Sequence, residues 1–164
     1  MKFKLLKKFF VTTLFLISII STVANAEVID NDTNLGAPYG NYNDGFDYLP
    51  RGLNGDSRIY TNGDPDNHHY EWYKLEYHWG VRYVGAYLDD LAFTDTAAHY
   101  SISYHWYGTY LMGTSLGDID QCNAPSGYNM CPTQNVVING YMSIWCVHRN
   151  GQTGADAISL DYFE

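Results

Sequence analysis

The sequence predicts an all-β protein, a single antiparallel β-sandwich of jelly-roll type behind a cleavable leader. Three observations carry that prediction. Apolar and polar residues alternate strictly over Tyr73–Trp79, Tyr100–Trp106 and Tyr141–Cys146, and a period of two is the mark of a half-buried strand. All 16 Tyr and all four Trp lie beyond residue 26, where Lys, Glu and Leu are scarce, and this composition favours strands over helices. Turn signals such as Asn62-Gly63-Asp64-Pro65, Asn139-Gly140 and Asn150-Gly151 punctuate these runs, as short antiparallel strands require.

The leader comes first. Lys2, Lys4, Lys7 and Lys8 form a positive head, and an apolar run from Phe9 to Val23 follows. Ala24-Asn25-Ala26 places small residues at the two positions a signal peptidase reads. Residues 1–26 therefore read as a signal peptide and residues 27–164 as one exported domain, secreted, periplasmic or extracellular. The run is shorter than the ~20 residues a spanning helix needs, so no membrane insertion is expected after cleavage.

Along the domain, Glu27 to Asp30 is a short apolar-acidic start. Residues 31–56 are rich in Asn, Asp, Gly and Tyr and read as loop with one short strand. Ser57 to Thr61 reads as a strand. In the next two alternating runs, the triplets Tyr77-His78-Trp79 and Tyr104-His105-Trp106 are expected to bury Tyr and Trp and to turn His outward. Tyr83 to Phe93 carries Val84, Tyr87, Leu88 and Leu91 at helical spacing, interrupted by Gly85. Asn135 to Ile138 reads as a strand that turns at Asn139-Gly140, the strongest hairpin dipeptide, into the strand Tyr141 to His148. Ala157 to Phe163 reads as the last strand.

After cleavage, five cations (Arg51, Arg58, Lys74, Arg82, Arg149) face 18 acids, a formal net charge of −13. Such a surface repels nucleic acid and anionic lipid, so neither is expected as a partner; neutral sugars, cations and basic proteins are compatible with it. Cys122, Cys131 and Cys146 are an odd set. Cys122 and Cys131 flank a short Pro- and Gly-containing loop, and closing it would stabilise by just under ~3 kcal/mol. Cys122–Cys131 is the favoured pair, while spacing alone leaves all three pairings open.

Three segments together resemble the carbohydrate-binding-like domain of golvesin and xanthan lyase: Val28-Ile29-Asp30-Asn31, Thr96-Ala97-Ala98-His99-Tyr100-Ser101-Ile102, and Ala155-Asp156-Ala157-Ile158. Their order and spacing span most of residues 27–164. The resemblance implies a jelly-roll β-sandwich that binds a carbohydrate or cell-surface glycan without catalysis. Residues 31–56 and the loop between Cys122 and Cys131 are longer than that pattern.

Several residue groups are candidate sites. Trp72, His78, His105, Tyr107 and Trp145 form the expected outward aromatic set for ligand binding, by ring stacking plus hydrogen bonds. Asp30 and Asp32 with Asn34, and Asp64 and Asp66 with Asn62, are oxygen-rich turns compatible with a structural calcium ion or with plain solvation. No other cofactor is indicated. His68, His69, His78 and His105 would ligate a metal only if their strands were adjacent. Gly113-Thr114-Ser115-Leu116-Gly117 matches the Gly-x-Ser-x-Gly elbow of serine hydrolases, with Asp118, Asp120 and His148 following in the required order. A Gly-rich turn is the simpler reading, because the chain lacks the strand–helix alternation on which that elbow depends. A small hydrolase using Ser115, and an effector that docks on another protein, are thus the alternatives to glycan binding.

Overall fold

A computed structural model describes residues 26–31, 39–62, 68–78, 81–106, 109–136 and 140–162. Residues 1–25 of the leader, Asp32, Asn34, Asp64, Asp66 and Tyr107 lie outside them. In chain order the strands are β1 (Glu27–Asp30), β2 (Tyr39–Asn43), β3 (Asp47–Leu49), β4 (Ser57–Tyr60), β5 (His69–His78), β6 (Val81–Leu88), β7 (Ala98–Trp106), β8 (Thr109–Ile119), β9 (Gly127–Met130), β10 (Gly140–Val147), β11 (Thr153–Ala155) and β12 (Ala157–Tyr162). Among the described residues there is no α-helix, and no helix long and apolar enough to cross a membrane.

All strand pairs are antiparallel. They build a four-stranded sheet in the order β1-β12-β6-β9, a five-stranded sheet in the order β2-β5-β10-β7-β8, and a small sheet β11-β4-β3. The two larger sheets form the sandwich, and the chain crosses between them from β5 to β6 to β7 and from β8 to β9 to β10. These orders are compatible with a jelly roll. One core fills the space between: Ile29, Val84, Ala86, Leu88, Ile158 and Leu160 from one sheet meet Tyr70, Trp72, Tyr100, Ile102, Ile144 and Cys146 from the other. Each of the Val, Leu and Ile side chains among them contributes about 1.5–3 kcal/mol by leaving water.

Residues directly opposite each other on paired strands share a face, and this decides which set is buried. In β10, Met142, Ile144 and Cys146 are the apolar set and face the core. Ile144 stands opposite Ile102 of β7 and Trp72 of β5, and Cys146 stands opposite Tyr100 and Tyr70. Tyr70 and Trp72 are therefore drawn inward, and Tyr73 belongs to the opposite face, the reverse of the expected orientation for β5. Lys74, opposite Met142, goes inward with them and is almost fully buried. Its ammonium is met by both oxygens of Glu27, at 2.6 and 2.5 Å, which ties β5 to β1 across the sandwich.

Other expectations are revised as well. The helical spacing at Tyr83 to Phe93 gives way to β6, in which Val84, Ala86 and Leu88 are buried while Tyr83 is exposed. Among the described residues, Val136 makes an isolated bridge to Val81 and the neighbours of β10 are β5 and β7; Val137 and Ile138 of the expected Asn135–Ile138 strand lie outside the described residues. Gly113–Gly117 lies inside β8, not in a turn. The expected Cys122–Cys131 disulfide is absent, and all three cysteines are free thiols. Asp120 accepts hydrogen bonds from the backbone and side-chain amides of Asn123, holding a turn that leaves Cys122 exposed. The Cys131 N–H donates to Val84 O at 2.9 Å, which pins Cys131 at the core. Burial pushes the Cys131 thiol up to about 12 and that of Cys146 further still.

Candidate functional site

The outward face of the five-stranded sheet carries the densest set of chemically useful side chains. Register places Tyr42, Glu71, Trp145, Ser101 and Ser115 in a single row across β2, β5, β10, β7 and β8. The adjacent row contains His69, Val147, His99 and Asp118. The His69 ring lies on Trp145, with centroids 4.4 Å apart and planes 13° from parallel. Tyr42 packs against His69, with centroids 5.6 Å apart and planes tilted by 31°, and is 53% exposed. Asp44 Oδ2 lies 3.2 Å from His68 Nδ1 and 4.0 Å from His69 Nδ1, at the edge of the platform. On the other side of this aromatic row the face is closed, since Ser103 and Ser143 are buried.

Three residues at the β7–β8 edge form a relay. His99 Nδ1 is 2.5 Å from Asp118 Oδ1, and His99 Nε2 is 3.5 Å from Ser115 Oγ. The Gly117 N–H donates to Ser115 Oγ at 3.2 Å. In an unbroken strand, Ser115 and Asp118 would point to opposite faces, being three residues apart. A register shift resolves this: Ser101 pairs with Ser115, but Tyr100 pairs with Gly117, so Leu116 is an extra residue and is fully buried. Such a bulge re-aims side chains. It requires Gly117, whose φ is +96° and whose missing Cβ would sit 2.9 Å from the Pro132 ring.

The expected site residues are distributed differently from the sequence reading. Trp145 stands on the outward face. Trp72 does not: it is 1% exposed, and its Nε1–H donates to Asp156 O at 3.3 Å, so its role is in the core. His78 and His105 lie with their backbones beside the start of β10, opposite Gly140 and Tyr141, and their side chains are outside the described set. Ser115 and Asp118 are brought together as the elbow motif suggested, but through His99. His148 is buried elsewhere, with Nδ1 2.8 Å from Thr153 Oγ1 and 3.7 Å from Asp95. Asp120 only caps its own turn.

No group of three or more His, Cys, Asp or Glu side chains among the described residues is placed to hold a metal ion. Of the calcium candidates, Asp30 is described and buried; its oxygens accept from the Asn31 N–H at 2.8 Å and from Asn54 Nδ2 at 2.5 Å. A cleft of about 140 Å³ lies between Leu88, Asp90, Phe93, Gln121 and Cys122. It falls below the ~300–1,000 Å³ of small-molecule pockets, so an open face is the better place for an extended ligand.

Comparison with family models, with characterised proteins and with solved structures gives no match to this chain. The reading of function therefore rests on its own residues.

Proposed function

We propose that residues 27–164 act outside the cytoplasm as a carbohydrate-binding domain, with the outward face of the β2-β5-β10-β7-β8 sheet as the binding surface. The observation that carries this reading is the Tyr42–His69–Trp145 platform. His69 is stacked on Trp145 and Tyr42 is tilted against His69 before any ligand arrives, so little side-chain entropy is lost on binding. The exposed Tyr42 ring suits the apolar face of a sugar ring, and Glu71 and Ser101 in the same row supply hydroxyl partners. A net charge of −13 favours a neutral glycan over an acidic one.

The resemblance to the golvesin and xanthan lyase domain points the same way. Its first and last segments are partners in this fold: Ile29 pairs with Ile158, and Asp30 with Ala157. The middle segment leads into β7, which carries Ser101 and His99.

The test is a glycan array probed with the purified domain, with and without calcium. Binding to one glycan class is expected, weakened about tenfold or more (about 1.4 kcal/mol) by Trp145→Ala or Tyr42→Ala. Absence of binding to every glycan in both conditions would overturn the reading.

A further inference from the structure

Ser115, His99 and Asp118 have a role that sugar binding does not use. The Asp118 carboxylate on Nδ1 of His99 holds the neutral ring in the tautomer whose Nε2 lone pair faces Ser115 Oγ. This is the order of contacts by which a carboxylate orients a base and the base activates a hydroxyl. The 3.5 Å separation is the loose spacing common before substrate binds. Ser115 is exposed, so an acyl group can reach it. The Gly117 N–H donates to Ser115 Oγ at 3.2 Å and so fixes the position of the hydroxyl.

We propose that Ser115 is a nucleophile for ester cleavage, with His99 as its general base and Asp118 as the group that orients His99, acting on ester substituents such as O-acetyl groups of a bound glycan. Ser115 Oγ bonds to the ester carbonyl carbon as its proton passes to His99 Nε2. Collapse of the adduct breaks the bond to the sugar oxygen, which leaves with that proton as an alcohol. Water, deprotonated by the same nitrogen, then releases the acid and restores Ser115, so ester and water become alcohol and acid. The substrate class rests on the carbohydrate reading; the nucleophile does not. Trp145 and Ser115 are in one row two strands apart, about 9.5 Å, so a short saccharide on the platform reaches the hydroxyl.

The experiment uses two probes that need no sugar binding, a fluorophosphonate and p-nitrophenyl acetate, and one that does, an acetylated oligosaccharide. Covalent fluorophosphonate labelling mapped to the Ser115 peptide is expected, and it should be lost in Ser115→Ala and His99→Ala. Both variants should lower p-nitrophenyl acetate hydrolysis about 100-fold or more. Asp118→Asn should lower it too and alter its pH profile. Trp145→Ala should slow deacetylation of the oligosaccharide. Because Ser115 and Asp118 are exposed, their variants should melt with the parent protein, which separates loss of chemistry from loss of fold. Absence of labelling, with hydrolysis equal in the parent and Ser115→Ala, would overturn the proposal and leave glycan binding intact. Labelling without glycan binding would keep the nucleophile and overturn the glycan as its substrate.

Discussion

Exchanging the two tryptophans tests the face assignment most sharply. Trp72 is 1% exposed and sits between Tyr70, 4.9 Å away by ring centroid, and the backbone of Asp156. Removing a buried Trp to Ala costs about 3–5 kcal/mol in transfer and cavity terms. Loss of the Nε1–H bond to Asp156 O leaves a partly satisfied carbonyl and adds about 1 kcal/mol. Trp145 is half-buried, and its identified stacking partner, His69, contributes about 0.5–1.5 kcal/mol. Trp72→Ala should therefore cost about 4–6 kcal/mol and Trp145→Ala about 1–2 kcal/mol. Urea denaturation followed by far-UV circular dichroism reads both. Trp72→Phe keeps most of the volume and should leave glycan binding unchanged. Equal costs for the two alanine variants, or loss of binding in a stably folded Trp72→Phe, would refute the assignment.

Other parts of the molecule make independent predictions. Burial, with added repulsion from Asp30, Asp56 and Asp89, pushes the Asp156 carboxyl up to about 7, against 3.8 for a free one. The folded state thus binds more protons than the unfolded state between these values, so stability should fall as pH rises from about 4 to 7, by at most about 1.4 kcal/mol per pH unit. Asp156→Asn should flatten that slope in melting curves recorded across the range. Lys74→Met removes the ammonium that both Glu27 oxygens meet, and 21% exposure of the Glu27 side chain lets water reach it, so a cost of about 1–3 kcal/mol is expected, below that of a fully buried pair. Glu27→Leu added to Lys74→Met should recover most of it. Thiol titration without reductant should count three thiols in denaturant and one fast-reacting thiol, Cys122, in the folded protein.

The parts of the fold that were legible in the sequence have a common physical cause. In β7 and β10 one alternating set is plainly more apolar: Met142, Ile144 and Cys146 against Tyr141, Ser143 and Trp145. The buried face followed from that contrast. In β5 both sets carry aromatics, and the inward set includes Lys74. Its partner Glu27 is 47 residues away, so period two could not decide the face there. Trp72 was misplaced for that reason. The relay at the β7–β8 edge was half visible. Ser115 and Asp118 stand out in the motif, but only the bulge at Leu116–Gly117 puts them on one face. Only the β7–β8 register brings His99 between them. The lone sequence trace of that bulge is Gly117, which reads equally well as a turn.

A sugar bound as proposed lies on the outward sheet face, against Trp145 and toward Ser115. Backbone and indole amide spectra of the domain, titrated with the strongest glycan from the array, test it directly. Shifts are expected at the Trp145 indole and at the amides of Tyr42, Ser101 and Ser115, with the Trp72 indole unmoved. Shifts centred on the cleft between Leu88 and Cys122, or on Trp72, would contradict it.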